Sequence, residues 1–184
     1  MNRKTQIFEA IVNIISESGF SHVTTTEIAK KIGISQPALY KHFKNRDEII
    51  LYFIDEVKKH LQKIVEYANR GNTLREKLEN LYIAHFEFVE NTKIIPKVVF
   101  SDEILDDRST LKRDKFRDVC FNYYRKEIEN IFLSYNVKNS KTCAQIIIGS
   151  FLSTALKWHL KGSTYNLKKE IPMLMDFWEK FLQI

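Results

Sequence analysis

Apolar residues recur at three- and four-residue intervals along most of the chain, and no stretch alternates with the two-residue period of a strand. Ile7, Ile11, Ile14 and Ile15, with Phe8 and Val12 beside them, predict a first helix over residues 3–18 that Gly19-Phe20 ends. Thr24-Thr25-Thr26-Glu27 has the S/T-x-x-E form of a capping box, so a second helix starts at Thr24, runs through Ile28, Ala29 and Ile32, and stops at Gly33. Ser35 can cap a third, with Pro37 in its first turn, where a missing N–H costs little. The apolar positions Phe20, Ile28, Ile32, Leu39 and Phe43 form the expected core of these three helices.

A fourth helix starts near Asn45 to Asp47 and carries Ile49, Phe53, Val57, Leu61, Ile64 and Ala68 along one face. At 1.5 Å per residue it spans roughly 35 Å, a rod long enough to carry a signal. Asn69-Arg70-Gly71-Asn72 is the clear linker, and Thr73 with Glu76 forms another capping box. Helices then follow at about 73–91, 96–106, 109–135, 139–161 and 167–182. The expectation is an all-α protein of about nine helices. An N-terminal three-helix domain with a helix-turn-helix occupies 1–46, and a helical domain occupies 47–184.

Two short helices separated by Gly33-Ile34 form a helix-turn-helix, whose second helix reads bases in the major groove. Geometry divides the work. Gln36 can pair bidentately with adenine, Pro37 and Ala38 can pack on a thymine methyl, and Lys41 can donate to guanine. Thr25, Thr26, Tyr40, His42, Lys44 and Arg46 suit phosphate contacts, with hydroxyl, imidazole and cationic groups around the helix pair.

At these residues the chain resembles the TetR family of transcriptional repressors. Thr24-Thr25-Thr26-Glu27-Ile28-Ala29, Gly33-Ile34-Ser35, Leu39-Tyr40-Lys41-His42-Phe43 and Asn45-Arg46 follow that family's T-x-x-x-I-A, G-V-S and L-Y-x-H-F signature with its following basic residue. Gln36-Pro37 is similar to the tetracycline repressors. Arg46 stands where the family usually has lysine, and Ile34 where valine is common. The resemblance covers roughly the first 55 residues. It implies backbone contacts at Thr25, Thr26, Tyr40, His42 and Arg46.

The rest of the family's plan is carried as implication. A near-palindromic operator would be bound by a homodimer, and the last two helices would pair with their copies as a four-helix bundle. Phe151, Ala155, Trp158, Leu174, Phe177, Trp178 and Phe181 suit that interface, about half of them being expected as intrachain core. An effector cavity among the middle helices would draw on Tyr82, His85, Phe86, Phe100, Phe116, Cys120 and Tyr123. The expected effector is a small apolar or amphipathic molecule, including fatty acyl derivatives, that releases a repressor from DNA. Alternatives are a DNA-binding module without a switch, and a helical lipid-binding protein with a vestigial head.

Charge changes this picture little. The net charge of +6 favours an anionic partner, but the excess is spread along the chain. Lys112-Arg113, Lys115, Arg117 and Arg125-Lys126 could attract the phosphates of an acyl-coenzyme A, whereas the interspersed Asp114, Asp118, Glu127 and Glu129 favour a salt-bridged face. Cys120 and Cys143 lack C-x-x-C spacing and are expected to be core thiols. The five histidines show no metal-ligand spacing, and no Gly-rich phosphate loop or G-x-S-x-G occurs, so neither an enzyme nor a cofactor or metal is expected. No segment approaches the ~20 apolar residues of a membrane span, and the expected location is cytoplasmic.

Overall fold

The computed structural model describes residues 3–105 and 110–184, and every regular element among them is helical. The expected helix ends at 106 and 109 lie outside the described residues. Packing divides the chain into two compact units, Met1–Lys58 with Thr92–Val119, and Lys59–Asn91 with Cys120–Ile184. None of the described helices is long and apolar enough to cross a membrane.

The first unit holds α1 (Arg3–Ser18), a 3-10 turn (Phe20–His22), α2 (Thr25–Lys31), α3 (Gln36–Tyr40) and the start of α4 (Arg46–Ala68). Its core is built from the isoleucine stripe of α1, where Ile7, Ile11 and Ile15 are fully enclosed, together with Phe20, Ile28, Leu39 and Phe53. The Phe53 ring lies 5.9 Å from Phe8 and 5.8 Å from Phe20, so α4 supplies the aromatic centre that the small head lacks alone. Ile32, expected in this core, is only half-buried because it is the C-cap of α2 and its chain is already turning.

Residues 96–106, expected as one helix, are broken into α6 (Ile95–Val99) and α7 (Asp102–Leu105). Ser101 causes the break. Its hydroxyl donates to the Val98 carbonyl at 2.8 Å, while its own carbonyl accepts from Ile104 N–H at 3.1 Å, competing with the helical ladder. α8 (Thr110–Arg117) follows. Three cations tie these helices to the head: Lys97 donates to the Ser16 carbonyl at the end of α1, Lys112 to Asp47 at 2.8 Å and Lys115 to Asp55 at 2.6 Å. The basic run is thus a salt-bridged face, and Arg117 with Asp114, and Arg125 with Glu129, continue it. Lys112 departs from a solvated face in being buried.

The second unit contains the end of α4, then α5 (Leu74–Thr92, to Asn91), α9 (Tyr124–Leu133), α10 (Ser140–Leu160), a 3-10 turn (Leu167–Glu170) and α11 (Ile171–Leu182). The Thr73–Glu76 capping box forms, with Glu76 N–H donating to the Thr73 hydroxyl at 3.1 Å and the Glu76 carboxylate accepting from Asn72 N–H at 2.7 Å. The linker before it needs glycine, since a Cβ on Gly71 would stand 2.7 Å from the backbone nitrogen of Lys77. Between α8 and α9 the helix passes through a π turn, Asp118–Tyr123, which widens the ladder and moves every later side chain out of phase with the earlier ones.

Candidate functional site

The helix pair α2–α3 is fixed by its caps. The Thr24 hydroxyl accepts from Glu27 N–H at 3.1 Å, Gly33 turns the chain at φ +68°, and the Ser35 hydroxyl accepts from Ala38 N–H at 3.3 Å. α3 is shorter than the stretch 35–43 suggested, with one further turn through His42 and Phe43, whose N–H groups reach the Leu39 carbonyl. The chain reverses there to start α4. Asn45 accepts from Glu48 N–H at 2.9 Å and Glu48 accepts from Lys44 N–H at 2.7 Å, a reciprocal cap that fixes the entry to α4.

Leu39 anchors α3 in the core, and Gln36, Pro37, Tyr40, Lys41, His42 and Lys44 face outward, with Ala38 half-buried. Thr26 is exposed at the start of α2. Thr25 is buried, and its hydroxyl accepts from the Gln36 amide at 2.9 Å, so these two residues hold α2 and α3 together. Arg46 likewise works inside the head. Its Nε donates to the Val23 carbonyl at 2.6 Å and Nη2 reaches the Phe20 carbonyl at 3.5 Å, bracing the turn before α2.

The second unit collects Tyr82, His85, Phe86, Tyr124, Phe151 and Trp178 in one buried aromatic cluster. The His85 ring stacks on Phe151 at 3.7 Å and 9°, and its Nδ1 is 3.1 Å from the Tyr124 hydroxyl. Trp178 Nε1 donates to the Tyr82 hydroxyl at 2.9 Å, which also meets the Ser150 hydroxyl at 3.0 Å. Burial pushes His85 down to about 3 and Tyr124 well above the usual phenol value, so both are neutral. Burial also pushes the Cys120 thiol beside Tyr124 up to about 12, and raises Cys143, which keeps both thiols protonated and inert.

Tyr82, His85 and Phe86 therefore meet as expected, with Cys120 at the edge of the group, but three candidates do not join them. Tyr123 turns its hydroxyl to Gln62, near Glu66 and Glu127, and its neighbour Tyr124 takes the inward place. Phe100 is 53% exposed at the end of α6, and Phe116 is buried in the first unit. Tyr124 belongs to the aromatic-rich set of the middle helices, but the π turn gives it, and not Tyr123, the inward place, and Phe151 was missed because it reads equally well as an interface residue. Among the described residues no group of three or more His, Cys, Asp and Glu could hold a metal.

The interface candidates separate by burial. Phe151, Ala155, Trp158 and Trp178 are enclosed within their own subunit and are corrected to intrachain core. Leu174 is half-buried, whereas Phe177 and Phe181 are exposed and stack at 5.7 Å. Met173 extends this apolar line along α11 at four-residue spacing, and Ile146 and Leu160 are exposed on α10. Gly149, on the open side of α10, has no atom within 4 Å of where its Cβ would be.

Residues 7–53, which span the helix-turn-helix and its α4 brace, match the profile of bacterial regulatory proteins of the tetR family. The head formed by these residues is of the tetR type. The chain is 22% identical over 174 residues to the fatty acid metabolism regulator protein of Bacillus subtilis, covering 88% of this chain and 86% of that one. It is 26% identical over 191 residues to the nucleoid occlusion factor SlmA of Alteromonas mediterranea, covering 100% and 95%. Two solved structures share its fold. The fatty acid degradation regulator FadR of Bacillus halodurans matches with a TM-score of 0.80 at 21% identity, over 96% of this chain and 94% of that chain. FadR of Bacillus subtilis, solved in complex with stearoyl-CoA, matches with a TM-score of 0.78 at 21% identity, over 95% and 96%.

The matched stretch is the head of bacterial regulatory proteins, and the rest of the chain shares the fold of the two FadR structures. Arg46 has a testable place in the tetR-type head. Arg46→Met is expected to cost about 1.5–3 kcal/mol, the range for hydrogen bonds to a charged group, read as a lowered denaturation midpoint. Arg46→Lys should recover only part, because one ammonium cannot span two carbonyls as the guanidinium fork does.

Proposed function

We propose that two copies of this chain occupy a near-palindromic operator as a repressor and leave it when an amphipathic acyl derivative binds the second unit. The observation that carries the reading is the outward row on α3. Gln36, Pro37 and Lys41 stand exposed on a helix anchored by Leu39 and locked to α2 by the Gln36–Thr25 hydrogen bond. Base contacts go to Gln36, Pro37, Ala38 and Lys41. Thr26, Tyr40, His42 and Lys44 hold phosphates, and Thr25 and Arg46 serve the same surface by setting its shape.

One such head is small for specific binding, which favours a pair of heads about 34–36 Å apart on successive major grooves. The second copy meets the exposed line Met173, Phe177 and Phe181 of α11 and the open side of α10 at Gly149. Functionally the division falls at residue 46, with 1–46 reading DNA and 47–184 holding ligand and partner. α4 starts at that division and runs unbroken to Ala68. An effector acts by preferring the arrangement of heads that does not fit the operator.

The acyl class of effector follows from two considerations. The likeness in fold to a regulator solved with stearoyl-CoA brings the class to mind, and the aromatic cluster around His85 is of the right apolar character to receive such a chain. Selection from a library of random duplexes at two salt concentrations tests the reading. The wild-type protein is expected to enrich an inverted repeat, and Tyr40→Ala to weaken binding to every sequence with its salt dependence unchanged, because the lost phosphate contact carries no charge. Recovery of no preferred sequence would overturn it.

A further inference from the structure

In the cluster around His85 one polar atom has no partner. His85 Nε2 is enclosed and makes no hydrogen bond, whereas Nδ1 meets the Tyr124 hydroxyl. Buried polar atoms are nearly always paired, so an orphan in an otherwise well-packed place calls for an explanation.

The direction of the Nδ1 bond decides what kind of atom the orphan is. Among the described residues the Tyr124 hydroxyl has His85 as its one hydrogen-bond partner. If Nδ1 carried the proton, the phenol hydrogen would have no acceptor and Nε2 would be a bare lone pair, leaving two groups unsatisfied. If instead the phenol donates to Nδ1, the proton sits on Nε2 and a single N–H is left unmatched. The second arrangement is lower in energy, so Nε2 is a donor waiting for an acceptor.

The surroundings define that acceptor further. Phe151 stacks on the His85 ring, Phe86 and Tyr124 stand around it, and none of these brings a positive charge. A carboxylate here would be an unpaired anion in an apolar enclosure, because burial holds His85 itself neutral down to about pH 3. The adjoining π turn, Asp118–Tyr123, is the irregular stretch of backbone from which Tyr124 emerges, and such turns give a helix slack at ligand sites.

We propose that the effector places a neutral acceptor oxygen, of the acyl-carbonyl kind, on His85 Nε2. This rests on the acyl reading above and deepens it. The site selects a neutral oxygen-bearing ligand, since a plain hydrocarbon chain leaves the N–H unmatched and a free carboxylate buries an unpaired charge. The oxygen is either the thioester carbonyl or a keto or hydroxyl group along the chain.

Calorimetric titration of the full-length protein tests the assignment with four probes. These are stearoyl-CoA, its S-octadecyl thioether without the carbonyl, the same thioether bearing one mid-chain ketone, and stearate. Wild type is expected to bind one oxygen-bearing CoA probe about five- to tenfold more tightly than the plain thioether, the worth of one buried hydrogen bond. Preference for stearoyl-CoA assigns the thioester carbonyl, and preference for the ketone assigns an oxygenated chain. His85→Phe, which keeps the ring stack, should erase the preference, the two oxygen-bearing CoA probes and the plain thioether then binding alike.

Nitrogen-15 shifts of His85 in the unliganded protein provide a readout that does not depend on folding of a variant, and the Nε2–H tautomer is expected. A Nδ1–H tautomer, equal binding of all CoA probes, or a preference that survives His85→Phe would overturn this inference and leave the acyl reading standing. Binding of none of the probes to wild type would overturn both.

Discussion

With Phe177 and Phe181 both replaced by glutamate, the protein is expected to sediment as a monomer at micromolar concentration and to lose its operator. The two rings stack on each other on the exposed side of α11, with Met173 completing an apolar line left open by the described residues. Aromatic residues on such a surface are where association energy concentrates, and two opposed glutamate pairs across a two-fold axis would add repulsion. Without the second head, binding falls to the non-specific level, a loss of at least about 10³-fold in affinity for the selected site. Phe177 also packs edge-on against buried Trp178 at 5.2 Å, so helical content and the denaturation midpoint must be measured alongside. A folded monomer that still binds its operator tightly would refute the dimer. Gly149→Trp probes the same interface from α10, at a place with open space inside the subunit.

The second large effect concerns acid. His85 has its pKa lowered from 6.5 to about 3 by burial, with the neutral Tyr124 phenol as the titratable group facing its ring. The native state therefore stays unprotonated where the unfolded chain takes up a proton. Stability is full above pH 6.5 and falls as pH drops below it, at about 1.4 kcal/mol per unit until the folded value is reached. Between pH 7.5 and pH 5 the loss is about 2 kcal/mol, readable as a lower urea midpoint. Glu170, whose carboxyl is held below its usual range by Lys157, adds its own loss only under pH 4.5, so the window from 6.5 to 5 separates the two. His85→Phe should flatten the dependence there, and a slope unchanged by that substitution would show that another group carries it.

What could be read from the chain was whatever is encoded locally. Thr24, Ser35, Asn45 and Thr73 announce helix starts because a cap is a contact across three residues, and all four hydroxyl or amide oxygens accept the bonds their positions imply. The outward row of α3 was legible for the same reason, given Leu39 as the anchor. Interactions across long sequence distances were not. That Arg46 turns onto Val23 and Phe20, or that Gln36 meets Thr25, depends on how the chain folds back, and a basic or amide side chain looks identical whether it faces phosphate or carbonyl. Periodicity itself failed at the π turn, where one phase carried forward from Phe116 points to Tyr123 and the widened ladder delivers Tyr124. On α10 and α11 the stripe was visible, but both a subunit core and a partner interface ask for the same apolar residues. Only burial separates Trp178 from Phe177.

The placement of the two tryptophans makes the protein a reporter on itself. Trp158 and Trp178 are the chain's full complement, both are buried, and both lie in the second unit, Trp178 bonded to the Tyr82 hydroxyl within the aromatic cluster. Its intrinsic emission therefore follows the second unit and is blind to the helix-turn-helix head. A head that melted by itself would register as lost helical dichroism with no change in emission colour, while a ligand entering the cluster would alter the emission of a chain whose helix content had not moved.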